Sequence, residues 1–246
     1  MHKTLTQTLL AAFYAILAAR PLEGGGVMPS ALRNTVAGGA PAPTLLEWLR
    51  SDGTGYIDTG FVVSDYKTKY IIEAACLSIN PSYNPLVMAG ATTSMNNTNE
   101  SCCGFGAFYN DRQIFLRRGH NQFWNSSGNN GNWNGGQFHV LETSLSGQTS
   151  ATASVDGVNI PMSVVSFGQS LELPPDSQTV FASKTNGVFT LLNSAYKVRR
   201  VAYALDGVML ADFRAAIAKD AFGMYDIISG VFHPGAGGFT AGSGIS

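Results

Sequence analysis

Between residues 123 and 136 the chain reads Phe123-Trp124-Asn125-Ser126-Ser127-Gly128-Asn129-Asn130-Gly131-Asn132-Trp133-Asn134-Gly135-Gly136. Here residue types and spacing come nearest to a binding chemistry. An indole face stacks on the C–H surface of a pyranose while side-chain amides bond its hydroxyls. Trp124, Asn125, Asn130, Trp133 and Asn134 on flexible turns therefore form a candidate sugar-contacting set. The same residues also have a purely structural reading, because Asn and Gly are what tight turns demand and Trp124 can serve as core.

Other chemistries find little support. Glycoside hydrolysis needs an acid and a second carboxylate held about 5 Å apart in the retaining geometry, and Glu47, Glu73, Glu100, Glu142 and Glu172 are each isolated in sequence. A Gly-x-Ser-x-Gly elbow is missing, and the glycines at 235–238 follow no strand-to-helix pattern that would cradle a phosphate. The expectation is a chain with no enzymatic role. His2, His120, His139 and His233 lack metal-ligand spacing, so a zinc site is not expected and no cofactor is required. Asp58, Asp65 and Asp111 leave calcium open, since loop carbonyls can complete its six to eight oxygens. Cys76, Cys102 and Cys103 are an odd set with two neighbours; three small thiols or one bridge from Cys76 both remain open.

Fifteen basic and 16 acidic residues give a net charge of −1. With no long-range field to attract phosphate backbones, nucleic acid is excluded as an expected partner. Charged residues make up 13% of the chain, against roughly a quarter in ordinary globular proteins, so the surface is coated with amides and hydroxyls. With 45% apolar residues the chain can still bury a core.

These candidate residues need a scaffold. In residues 1–20 Leu5, Leu9, Phe13 and Ile16 fall at helical spacing with Leu17 alongside, which predicts a helix with a wide apolar stripe for attachment or oligomerisation. The apolar run Leu9–Ala19 is shorter than the about 20 residues that span a bilayer. Lys3 ahead of that run and the small residues Ala18-Ala19 at its end also permit a cleaved signal peptide. Residues 21–43 carry Gly24-Gly25-Gly26, Gly38-Gly39 and four prolines, a composition that sustains neither helix nor strand and reads as a flexible tether.

From residue 44 to 246 the pattern changes to short alternating runs. Strands are predicted at 56–63, 69–77, 86–91, 105–109, 113–117, 122–125, 137–145, 151–155, 179–183, 188–192, 198–205 and 208–213. The dipeptides Asn110-Asp111, Asp156-Gly157, Asn186-Gly187, Asp206-Gly207 and Ser229-Gly230 accept the positive φ of tight hairpins, so neighbouring strands should run antiparallel. Residues 212–220, with Ala215-Ala216-Ile217-Ala218, are open between a short helix and an ordered connection.

Two segments carry a family likeness. Leu46-Glu47-Trp48-Leu49-Arg50-Ser51-Asp52-Gly53-Thr54-Gly55-Tyr56-Ile57-Asp58-Thr59-Gly60-Phe61 resembles the opening of domains common in phage and prophage proteins of gut bacteria. The residues from Tyr196 to Tyr203, Asp206-Gly207, Asp212-Phe213, Gly223-Met224-Tyr225-Asp226, Gly230-Val231-Phe232 and Gly238-Phe239-Thr240-Ala241-Gly242 resemble their closing strands. Ser154-Val155-Asp156-Gly157 is similar to their internal hairpin. The chain departs from them in lacking the proline usual after Asp212-Phe213 and in the Asn/Gly-rich loop 121–137. The resemblance implies an all-β fold, a concanavalin A-like, laminin G-like jelly-roll sandwich of two antiparallel sheets. It further implies a structural, decoration, tail-fibre or host-contact protein of a virion, an adhesion role in which cell-surface glycans are possible ligands. The partners would be other virion or surface structural proteins reached through the N-terminal helix, in a homo-oligomer. A secreted or cell-surface carbohydrate-binding module with a cleaved leader is the alternative.

Overall fold

The computed structural model describes residues 42–77, 86–92, 101–107, 114–120, 122–126, 136–145, 150–166, 173, 175–185, 188–191 and 196–245. The expected N-terminal helix with Leu5, Leu9, Phe13, Ile16 and Leu17, and nearly all of the tether, lie outside the described residues. So do Asp111, Asn130, Trp133 and Asn134.

Every regular element among the described residues is a β-strand. They are β1 Thr44–Leu45, β2 Leu49–Ser51, β3 Tyr56–Asp58, β4 Lys69–Cys76, β5 Leu86–Thr92, β6 Ser101–Ala107, β7 Ile114–His120, β8 Gln122–Ser126, β9 Phe138–Leu145 and β10 Ala151–Val155. The chain continues with β11 Val158–Ile160, β12 Met162–Ser166, β13 Thr179–Val180, β14 Ala182–Thr185, β15 Val188–Leu191, β16 Tyr196–Leu205, β17 Val208–Ala218, β18 Ala221–Asp226, β19 Val231–Ala236 and β20 Phe239–Ala241.

All strand pairings among the described residues are antiparallel, and most fall into two rows. The first runs β11-β10-β9-β4-β16-β17-β18-β19. The second runs β19-β3-β13-β5-β6-β7-β8-β12. β14 and β15 form a separate two-stranded ladder, and the short β1, β2 and β20 attach to the first row through β17 and β16. One margin is closed by β19, whose residues Val231–Pro234 pair with β18 while Gly235 and Ala236 pair with β3. At the other margin β11 passes through Pro161 into β12 and so moves from the first row to the second. At each crossing a proline, Pro161 or Pro234, stands where a strand leaves one ladder for another, which suits a residue with no N–H to donate.

The turns follow the chemistry of their residues. Asp156-Gly157 and Asp206-Gly207 both take positive φ, at 51° and 78° and at 49° and 80°, the mirror-image turn whose twist matches the flanking strands. Asp226 shapes the β18–β19 hairpin by accepting hydrogen bonds from the N–H of Asp212, Ile228 and Ser229. In β3, Ile57 and the following Thr59 are buried while Asp58 is half-buried, the alternation expected of a strand with one face on a core.

That core joins residues of both rows: Ile57 and Val180 of the second row pack with Tyr70, Ile72, Val201, Tyr203, Phe213 and Met224 of the first. Tyr203 sits at its centre, stacked on Phe61 at 4.5 Å and edge-on to Tyr70 at 5.0 Å and to Phe213 at 6.2 Å. Such ring pairs contribute about 0.5–1.5 kcal/mol each beyond the area they bury.

Residues 212–220 resolve as strand rather than helix, since β17 continues through Ala218. Ala215 and Ala216 are both fully buried, so this segment is covered on two sides and loses the alternation that marks a strand.

Candidate functional site

The two segments that carry the family likeness meet in space. β2 pairs with β20 from Leu49↔Ala241 to Ser51↔Phe239, and Leu46 bridges Gly244. Backbone hydrogen bonds tie Glu47 to Ser243, Gly242 to Trp48 and Ile245 to Leu45. The polar residues between them are spent on their own turn. The Ser51 hydroxyl accepts the N–H of Gly53 and of Gly55, and Asp52 accepts the N–H and hydroxyl of Thr54. These bonds to Thr54 hold the Asp52 carboxyl below its ordinary range.

Glycine is required here by close approach. A Cβ on Gly55 would lie 2.4 Å from the carbonyl oxygen of Gly238, and one on Gly237, at φ +84°, would lie 2.2 Å from that of Thr54. Asp52, Thr54 and the glycines at 235–238 thus form a closure where the chain enters and leaves the domain, and their chemistry is structural.

One face of the first row carries a set of ion pairs. Asp212 accepts two bonds from Arg200, at 2.8 and 2.9 Å, and two from Arg214, at 2.9 and 3.1 Å. Arg199 bonds Glu73 at 2.6 Å and lies over the Phe138 ring. The bulge between Val198 and Arg200 brings Arg199 and Arg200 to separate acidic partners, and no basic patch arises from them.

At the far end of this face lies a cavity of about 500 Å³. Its origin is visible in the register. Lys69 of β4 is opposite Ala204 of β16, which is opposite Met209 of β17, so a short side chain stands between two long ones. Ile71, 7% exposed, and Ala204 line it beside Lys69 and Met209. Lys67, Ser144, Leu145 and the Asp206-Gly207 turn complete the lining. Lys69 pairs with Glu142 at 2.8 Å, Ser144 shares a hydrogen bond with Thr152 at 2.9 Å, and the Lys67 ammonium lies 5.8 Å from the Tyr66 ring centre. One ammonium is thus neutralised by a carboxylate while the other stands over an aromatic face. The arrangement offers charge, hydroxyl and apolar contact together, which is the make-up of a binding cavity.

His233 occupies a different place, half-buried where β19 leaves the first row. Its ring meets Phe213 edge-on at 5.4 Å, and burial pushes its pKa down against the pull of Asp226 and Asp58. Asp58 in turn accepts the Ser177 hydroxyl at 2.5 Å and the Gly60 N–H at 3.0 Å. His139 bonds Asp156 at 2.7 Å, and that bond with the Val140 N–H holds the Asp156 carboxyl low.

Of the sequence candidates, the backbone register places Trp124 opposite Leu116, a fully buried residue, and also opposite Val164. Asn125 lies opposite Phe115 and Ser163, on the other face. Asn130, Trp133 and Asn134 lie outside the described residues. Among the described residues no group of three or more His, Cys, Asp or Glu is gathered that could hold a metal ion; Asp58 is engaged by Ser177 and Asp65 accepts the Lys67 N–H. The cavity was missed in the sequence because its lining residues come from three separate stretches, 67–71, 144–145 and 204–209.

No family model matches the chain, and no curated protein matches it. Nineteen chains of solved structures do, among them these two. One is scytalido-glutamic peptidase with a peptide-based transition-state analogue, at 12% identity and a TM-score of 0.36, covering 78% of this chain and 98% of that one. The other is SCP-B, a member of the eqolisin family of peptidases, in complex with the tripeptide Ala-Ile-His, at 14% identity and a TM-score of 0.33, covering 71% of this chain and 89% of that one. Both are peptidases, and this finding corrects the expectation of a chain with no enzymatic role, which is withdrawn. Likeness at these scores carries no argument about which activity, if any, this chain has.

Proposed function

We propose that the chain is a decoration or host-contact protein of a phage or prophage particle, in which residues 44–246 form a concanavalin A-like jelly-roll sandwich displayed on the surface. Residues 1–20 attach the domain to other structural proteins and oligomerise it, residues 21–43 space it, and the displayed domain contacts cell-surface glycans. The resemblance of residues 46–242 supplies the particle context.

The observation that carries this reading is the position of the segments that open and close the domain. Leu45 and Ile245 are bonded to one another beside the end of β17, while the cavity lies beside the β16–β17 turn. Along β17, from Met209 at the cavity to Ala216 opposite Leu45, they are separated by roughly 23 Å at about 3.3 Å per residue. A domain tethered at one pole with an open cavity at the other is arranged for display.

The reading is tested by immunogold electron microscopy of particles from an induced host culture, with antibody raised against residues 44–246. Label on the particles is expected. Label confined to cells or medium, with native protein beginning near Arg20, would instead establish the secreted or surface carbohydrate-binding module.

A further inference from the structure

We propose that the cavity between Lys67, Lys69, Ser144 and the Asp206-Gly207 turn is the glycan site of this domain and that it takes a saccharide bearing a carboxylate. The inference rests on the glycan-contact reading above but names its own residues, distinct from the Trp/Asn stretch at 124–134.

The volume of about 500 Å³ is of the size that holds a small ligand. Its charges discriminate. The Lys69 ammonium is already matched by Glu142 at 2.8 Å, so it supplies a donor without demanding an anion. Lys67 is exposed and its ammonium lies over Tyr66, so the positive charge on this rim is offered to whatever enters. The exposed Asp206 carboxylate, also in the lining, accepts hydroxyl protons, and the Ser144 hydroxyl, bonded to Thr152, keeps capacity for a second hydrogen bond. Met209, half-buried, presents an apolar surface to the C–H face of a ring. A pyranose carboxylate uses every one of these groups, whereas a neutral sugar leaves the Lys67 charge unused. A uronate and a sialate share this chemistry.

The test is isothermal titration of the full chain with digalacturonic acid, sialyllactose, lactose and a tetraglutamate peptide. Binding of one or both acidic saccharides is expected, at least tenfold tighter than lactose, and the one that binds names the source. Lys67→Gln is expected to weaken it at least tenfold with no change in the unfolding midpoint, and Asp206→Asn, which keeps the positive φ turn, to weaken it severalfold. Added salt should weaken binding to the wild type, as screening of an exposed charge requires.

The inference is overturned if neither acidic saccharide binds, if lactose or tetraglutamate binds as tightly, or if Lys67→Gln binds as well as wild type. Binding lost in a Trp124→Ala, Trp133→Ala double variant but kept in Lys67→Gln would move the site to the loop and leave the glycan reading standing. Intact, Lys67-dependent binding together with unlabelled particles would leave this site standing and remove the particle reading.

Discussion

The two poles of the domain use the same materials, short strands and polar turns, to opposite ends. Where the chain enters and leaves, Ser51, Asp52 and Thr54 turn their polar atoms onto neighbouring N–H groups, and glycines admit backbone to within a few ångströms of backbone. Where the β16–β17 hairpin turns, long side chains flank an alanine, and Lys67, Asp206 and Ser144 face a space large enough for a ligand. A turn becomes structural when its polar groups are satisfied internally and available for recognition when its side chains reach outward. The difference lies in what stands across the ladder, since the polar residue types are shared.

The comparison can be broken most severely at the closed pole. Gly237→Ala combines a positive φ with a Cβ driven onto the Thr54 carbonyl, and should cost about 2–5 kcal/mol of stability, read as a lowered denaturant midpoint; a variant as stable as wild type would mean the closure does not constrain the fold. Next in size is Asp212→Ala, which leaves Arg200 and Arg214 without the buried carboxylate that receives both. Because the arginines are partly exposed the cost should be about 2–3 kcal/mol rather than the full penalty of a buried pair, and chemical denaturation of the variant measures it.

A smaller effect follows pH. The folded His233 holds its proton less tightly than the ordinary value of 6.5, so the unfolded chain binds more protons over the interval between the two values. Stability from this group is complete above about pH 6.5 and declines as pH falls below it toward the folded value. Thermal melts from pH 7.5 to 5.5 should show this decline, and His233→Gln should flatten it; an unchanged slope would show that burial of this ring is not felt. The smallest stability effect belongs to the open pole, where Lys67→Gln should move the unfolding midpoint by less than about 0.5 kcal/mol while abolishing the preference for acidic sugars. A large loss of stability in that variant would assign Lys67 to the scaffold instead.

Much of this architecture is legible in the sequence. The alternation of residues 56–61 anticipates the buried Ile57 and Thr59, and Asp156-Gly157 and Asp206-Gly207 stand at the hairpins their types predict. The strand expected at 198–205 is observed as β16, Tyr196–Leu205. Residues 215–218 were ambiguous because a strand buried on both sides has no polar face to reveal its period, and Ala is also the best helix former. The cavity was not legible at all. It depends on Lys69, Ala204 and Met209 standing in register across three strands, and cross-strand register between residues this distant is written in no local pattern. The Trp/Asn stretch is the reverse case, conspicuous in local composition, with Trp124 opposite Leu116 in the strand register and Asn130, Trp133 and Asn134 outside the described residues.

The contrast between the poles is tested most directly by native-state hydrogen exchange followed by nuclear magnetic resonance. The account predicts that the amides of Glu47, Asp52, Gly242 and Ile245, bonded across the closure, exchange only through global unfolding, while those of Lys67 and Thr68 beside the cavity exchange through local opening that needs far less free energy. Equal exchange at the two poles, or faster exchange at the closure, would contradict it.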